Sequence, residues 1–146
     1  MRADRLLRLA EHLENGRPGG HRRFDFALAH EGTATEKHCG SVGCALGDCL
    51  AIWPEDSRVR EWFVGGVPIR QVRSERAYYA TAYPHCVTRA ANFFEISKDD
   101  AGGLFLPEAA RWWRPGRLSD RATAKRVAAS IRAYVKVVAY QESLCK

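Results

Sequence analysis

A single stretch decides the fold class of this sequence, TAKRVAASIRAYVKVVAY at residues 123–140. Its larger apolar side chains recur every three or four positions, which is the spacing of one face of an α-helix. They are Val127, Ile131, Tyr134, Val135 and Val138. Four basic residues, Arg121, Lys125, Arg132 and Lys136, are expected on the opposite face. We therefore predict a long amphipathic helix from Thr123 to Tyr140 whose apolar face forms part of the core.

Two further helices are expected to pack against this one. Apolar residues in the N-terminal segment recur with helical spacing and predict a helix over 4–15, which Gly16 ends because glycine adopts the left-handed conformation easily. A second helix is predicted from Val42 to Trp53, with Ser41 as its N-cap and Pro54 after its end. Gly43 lies within this helix and lowers its stability. Close packing of a neighbouring helix on so small a residue would offset that cost, so we expect the helix to be buried.

Shorter elements complete the prediction. Helical spacing predicts a helix from Cys86 to Phe94, and Ser97 begins another short helix that ends before Pro107. Residues 61–64 and 67–69 are separated by Gly65-Gly66, and this order is compatible with a small hairpin that has a two-residue turn. The sequence therefore predicts a mainly α, single compact domain over residues 1–146, with five or six helices and with one small β-hairpin left open.

Composition excludes several classes of protein. The chain has 146 residues, of which 46% are hydrophobic and 27% charged, and these values are ordinary for a globular domain. It contains no apolar run close to the ~18 residues that span a bilayer, and its N-terminus lacks the apolar region of a signal peptide. Five cysteines are present, and an odd number without an export signal argues for reduced thiols. We expect a cytoplasmic protein that does not contact a membrane.

Positive charge is concentrated in two parts of the chain. The formal net charge is +6, and residues 111–136 contain eight basic residues and one acidic residue. Residues 57–90 contain six arginines and two glutamates. Clustered charge of this kind predicts an anionic partner. The alternative is a basic surface that is only solvated.

Aromatic residues are interleaved with these cations, as in Trp112-Trp113 and Tyr78-Tyr79. Cations neutralise phosphates and aromatic rings stack on bases, so nucleic acid is one predicted partner. An acidic protein surface would use the same side chains, and no signature of a known nucleic-acid-binding module accompanies them. The predicted binding surface consists of Arg70, Arg73, Arg76, Arg111, Arg114, Arg117, Arg121, Lys125, Arg132 and Lys136.

Cysteine chemistry provides an alternative function. Cys39 lies just before the predicted helix at Val42, where the helix dipole lowers the pKa of a thiol. The surrounding order of residues loosely resembles cysteine peptidases of the papain-like type. Such a site needs a histidine as base, and His21, His30, His38 and His85 are candidates whose flanking residues single none of them out. We take His85 for that role. The alternative function is therefore a cysteine-dependent hydrolase, and no catalytic residue is assigned in the leading hypothesis.

Six residues have side chains that could bind a metal ion, namely His38, Cys39, Cys44, Cys49, His85 and Cys86. A structural zinc site needs four converging ligands. Cys44 and Cys49 are five positions apart on a predicted helix, which places them on different faces. Buried thiols often serve as small core residues, and that is the interpretation we prefer. We predict no metal and no cofactor.

Several of these segments together resemble a group of small uncharacterised bacterial and phage proteins. The shared stretches are Cys39-Gly40-Ser41-Val42-Gly43-Cys44-Ala45-Leu46-Gly47, Asn92-Phe93-Phe94-Glu95-Ile96-Ser97 with Asp99-Asp100-Ala101 and Leu104-Phe105, and Ala122-Thr123-Ala124. The resemblance covers about Cys39 to Val135, except for a divergent middle. This chain has Glu95-Ile96 where the group has Gly-Leu, and Gly102-Gly103 where it has bulkier residues.

The resemblance implies an architecture but no chemistry, because no activity is known for the group. By analogy, an accessory protein of a mobile element would fit it. The leading hypothesis is a non-enzymatic interaction module whose basic surface binds an anionic partner, either a nucleic acid or an acidic protein surface.

Overall fold

The computed structural model describes residues 1–19, 23–24, 42–43, 45–59, 83–105 and 119–145. Within these ranges the protein has five helices, α1 (Ala3–Glu14), α2 (Cys49–Ile52), α3 (Tyr83–Phe94), α4 (Lys98–Phe105) and α5 (Asp120–Leu144). Two short strands, β1 (Arg23–Phe24) and β2 (Val42–Gly43), pair in parallel with Arg23 opposite Val42. The prediction of a mainly α fold is confirmed.

Helices α1 and α5 form the largest helix pair among the described residues. Helix α1 buries Leu6, Leu9 and Leu13, while Ile131 and Val135 lie on the buried face of α5. Both helices were predicted, and α5 extends further at each end. It starts earlier because Ser119 caps it, its hydroxyl oxygen accepting a hydrogen bond from the backbone N–H of the third residue beyond it at 3.3 Å.

Aromatic side chains fill the core between α2, α3 and α4. The rings of Phe93 and Phe94 meet edge to face at 5.0 Å, and Phe94 stacks on Phe105 at 5.5 Å. Trp53 contacts the edge of Phe93 at 5.1 Å. Such pairs contribute about 0.5–1.5 kcal/mol beyond the area that they bury. The buried apolar residues of all five helices belong to one cluster.

Helices α3 and α4 are joined by a tight connection. The backbone of Glu95 is left-handed with φ of 53°, and the N–H of Ile96 donates to the carbonyl of Ala91 at 3.0 Å. This is the usual way to end a helix. Ser97 then begins α4, because its hydroxyl accepts from the N–H of Asp100 at 3.0 Å. The predicted start of this helix at Ser97 is confirmed.

The predicted helix from Val42 to Trp53 is wrong over most of its length. Val42 and Gly43 belong to β2, residues 45–48 form turns, and only Cys49–Ile52 is helical. Glycines at 43 and 47 make a helix costly, and pairing with β1 provides an alternative for the backbone. Ser41, the predicted N-cap, lies outside the described residues, as does the predicted hairpin at 61–69.

Candidate interaction surface

Four of the ten predicted binding residues lie on α5, and all four fall along one strip of the helix. Arg121, Lys125, Arg132 and Lys136 are separated by four, seven and four positions, so they follow one another along one side of the helix. The centre of this side lies about a third of a turn from the centre of the buried face, since successive residues turn by about 100°. It therefore borders the core, and the prediction that it lies opposite the buried face is wrong. We call these four residues the basic strip.

Arg132 is the member of the basic strip that is bound to an acid. Its guanidinium donates to both carboxylate oxygens of Glu14, at 2.8 Å from Nε and 2.6 Å from Nη2. The hydrogen bonds from Arg132 lower the pKa of Glu14, and those to Glu14 raise the pKa of Arg132. Arg132 thus links α5 to α1, and this pairing reduces the charge that it offers to a partner. Arg132 stays a predicted binding residue, with its charge partly neutralised by Glu14.

The other three members carry exposed charge. Arg121, Lys125 and Lys136 are all solvent-exposed. None of them forms an ion pair with a carboxylate in the part of the chain that the structure describes, although Glu14 lies near enough to Lys125 to feel its charge. Long cationic side chains on a rigid helix can neutralise a row of anionic groups on a partner.

The other predicted site residues lie outside the described residues or have side chains that are not described. Outside lie Arg70, Arg73, Arg76, Arg111, Arg114, Arg117, His38, Cys39 and Cys44. His85 and Cys86 belong to the first turn of α3, and their side chains are not described. Cys49 is fully buried, which confirms its interpretation as a core residue. The hydrolase alternative, with Cys39 and His85, therefore stays a prediction.

A second group of cations, which the sequence pattern did not indicate, lies on α1 and near α2. Arg5 donates to the carbonyl of Phe93 at the end of α3 at 2.7 Å, and its guanidinium lies 4.4 Å from the centre of that ring. Arg8 likewise contacts the carbonyl of Ile52 at 3.4 Å, at the end of α2. Arginines at helix C-termini stabilise the exposed carbonyls. These two side chains therefore have a structural role between helices.

The most buried ionic group among the described residues is also one that the sequence did not reveal. Asp48 is fully buried, and its carboxylate accepts hydrogen bonds from Nε and Nη2 of Arg17, the latter at 3.0 Å. The Nε2 atom of His12 lies 3.6 Å from Asp48 Oδ2, too far for a hydrogen bond, and has no hydrogen-bond partner among the residues that the structure describes. This group fastens the turn before α2 to the end of α1. No periodicity could have indicated it, because its members come from separate elements.

Two other kinds of site are absent from the described ranges. No three His, Cys, Asp or Glu side chains within these ranges come together in a way that would hold a metal ion. The described helices also include none with the length and apolar character that a membrane crossing requires.

No protein-family model matches the chain, and neither a curated protein nor a solved structure is similar enough to match it. The resemblance to small bacterial and phage proteins therefore stays a prediction.

Proposed function

We propose that this protein is a non-enzymatic interaction module of the cytoplasm that binds an anionic partner through the basic strip of α5. The observation that carries the proposal is the alignment of Arg121, Lys125 and Lys136, three exposed cations without a carboxylate partner among the described residues. The partner presents a row of phosphates or carboxylates. An accessory role in a mobile element agrees with the resemblance to bacterial and phage proteins.

The dimensions of the strip suit an extended anionic surface. Arg121 and Lys136 are fifteen positions apart on one helix, which corresponds to about 22 Å at 1.5 Å per residue. The strip is held rigidly, because α5 is packed on α1 and the bidentate Arg132–Glu14 contact joins the two helices beside it. A partner therefore meets cations whose spacing is fixed, and little order has to be gained on binding.

The test is the salt dependence of binding to two polyanions, a short DNA duplex and polyglutamate. Binding of duplex through three phosphate contacts gives a slope of about −3 in a plot of log K against log salt concentration. Each single substitution, Arg121→Gln, Lys125→Gln or Lys136→Gln, should reduce the magnitude of that slope by about 1.

Lys98→Gln is the matched control, because it removes one exposed charge from α4. The slope of log K against log salt concentration for this variant should equal that of the wild-type protein. The proposal is contradicted if neither polyanion shows salt-dependent binding, or if Lys98→Gln weakens binding as much as the substitutions on the strip.

A further inference from the structure

The last turns of α5 expose large apolar side chains. Val135 is the last buried residue of the helix, which continues to Leu144. Beyond it Val137, Tyr140 and Leu144 have exposed fractions of 54%, 65% and 67%. Single exposed apolar residues are common on protein surfaces, but these three are spaced i, i+3 and i+7. They therefore share one side of the helix, which we call the apolar stripe.

The apolar stripe runs beside the basic strip. Lys136 precedes Val137 directly and lies about a fifth of a turn from the middle of the stripe, on the side of Arg121 and Lys125. Ala133 is also exposed and extends the stripe by one turn toward the N-terminus. One helix thus presents a narrow apolar surface with positive charge along one edge. This combination is complementary to an amphipathic helix that has acidic residues along its matching edge.

We propose that the apolar stripe of α5 is a docking site for an acidic amphipathic helix of a protein partner. This inference rests on the proposed function, because the same basic strip supplies the electrostatic attraction. Val137, Tyr140 and Leu144 would anchor the partner by burying its apolar side chains, and Lys136 with Lys125 would pair with its carboxylates. Anchors at i, i+3 and i+7 are those by which one helix recognises another.

The stripe favours a protein over the two other occupants. Nucleic acid offers phosphates and sugars at its surface, and the apolar groups that it presents in the major groove are thymine methyls. Branched aliphatic side chains such as Val137 and Leu144 gain little from such a surface. A second copy of this chain would bring its own Lys136 to the same edge of the interface, and like charges that meet across an interface oppose association.

The experiment uses two designed acidic peptides as probes. One is helical, with leucines at i, i+3 and i+7 and glutamates along one edge, and the other has the same composition in an order without a stripe. The full protein should bind the first peptide roughly tenfold or more tightly than the second. The double substitution Tyr140→Ser with Leu144→Ser should remove that difference and leave the affinity for polyglutamate unchanged.

Leu7→Ser is the matched control, because Leu7 is an exposed leucine on α1 with an exposed fraction of 37%. It should retain the preference for the striped peptide. Circular dichroism melting checks that each variant is folded.

Three results would overturn the inference. The first is equal affinity for the two peptides, and the second is a loss of DNA affinity in the Tyr140 and Leu144 variant. The third is a wild-type dimer that this variant converts to a monomer, since a second copy would then be the occupant. In all three cases the proposed function is still supported if polyglutamate binding is lost only when Arg121, Lys125 and Lys136 are replaced. Failure of the inference is therefore distinguishable from failure of the proposed function.

Discussion

Asp48 has its carboxylate in the interior of the protein, paired with an arginine. It is fully buried, and the guanidinium of Arg17 binds both of its oxygens. Removing one partner of a buried pair leaves the other charge without compensation, at a cost of about 3–5 kcal/mol. We therefore expect Asp48→Asn to lower the free energy of unfolding by an amount in that range, measured by urea denaturation.

The control for this prediction is Asp56→Asn. Asp56 pairs with Arg58 at 2.7 Å, but the Arg58 side chain is 54% exposed. Exposed pairs contribute about 0–1 kcal/mol. Equal losses of stability in Asp48→Asn and Asp56→Asn would show that burial of the Asp48 pair has no energetic consequence.

Tyr134 makes stability depend on pH in the alkaline range. The pKa of Tyr134 is raised to about 12 from the usual 10.0. Burial is the larger cause, and the hydrogen bond that the phenol donates to Asp100 Oδ2 at 3.1 Å is the second. The folded protein keeps the phenol neutral at pH values where the unfolded chain ionises it. The stabilisation is complete below pH 10 and is lost as pH rises toward 12.

Tyr134→Phe tests this linkage, because phenylalanine has the same ring without a proton to release. We expect the variant to lose less stability than the wild type between pH 10 and pH 12, as measured by chemical denaturation across that range. Parallel losses in both proteins would mean that Tyr134 ionises at its ordinary pKa.

At the scale of the element, the end of α3 stores backbone strain. Glu95 has a φ of 53°, a conformation that costs a non-glycine residue about 1–2 kcal/mol. Glycine avoids this cost because it has no β-carbon. It also makes the unfolded chain more flexible, and this effect offsets about 0.5–1 kcal/mol of the gain in stability. We expect Glu95→Gly to raise the free energy of unfolding by roughly 0.5–1 kcal/mol.

Glu95→Ala is the matched variant, because it removes the carboxylate and keeps the β-carbon that causes the strain. It should not stabilise the protein. A thermal melt in which alanine raises Tm as much as glycine would assign the gain to the lost charge instead of the backbone.

Helices with a regular apolar period could be predicted from the sequence, and those defined by other forces could not. The buried apolar residues of α1 and α5 recur with helical spacing over several turns, so periodicity alone was sufficient to predict both helices. The segment from Val42 to Trp53 is also apolar, but its glycines and its pairing with β1 decide the outcome. A strand partner some twenty positions away leaves no local signal in the sequence.

The same reasoning applies to the candidate site. Spacing placed Arg121, Lys125, Arg132 and Lys136 on one side of α5, and this alignment is confirmed. Spacing could not show that Glu14 binds Arg132, because the two residues are separated by 118 positions and meet only in the folded chain. The roles of Arg5 and Arg8 at the ends of other helices were hidden for the same reason.

At the scale of the whole molecule, two surfaces of opposite kind meet on one helix. Helix α5 is fixed to the core through its buried residues up to Val135. Its basic strip borders α1, and its apolar stripe occupies the last turns. The arginines on α1 are engaged with helix ends. We therefore assign recognition to α5 and stability to α1.

The most direct test of this assignment is a nuclear magnetic resonance titration of the protein with polyglutamate at low salt. We expect the largest backbone amide shifts to occur between Arg121 and Lys136 and to disappear when salt is added. Shifts centred on Arg5 and Arg8 instead, with α5 unchanged, would contradict it.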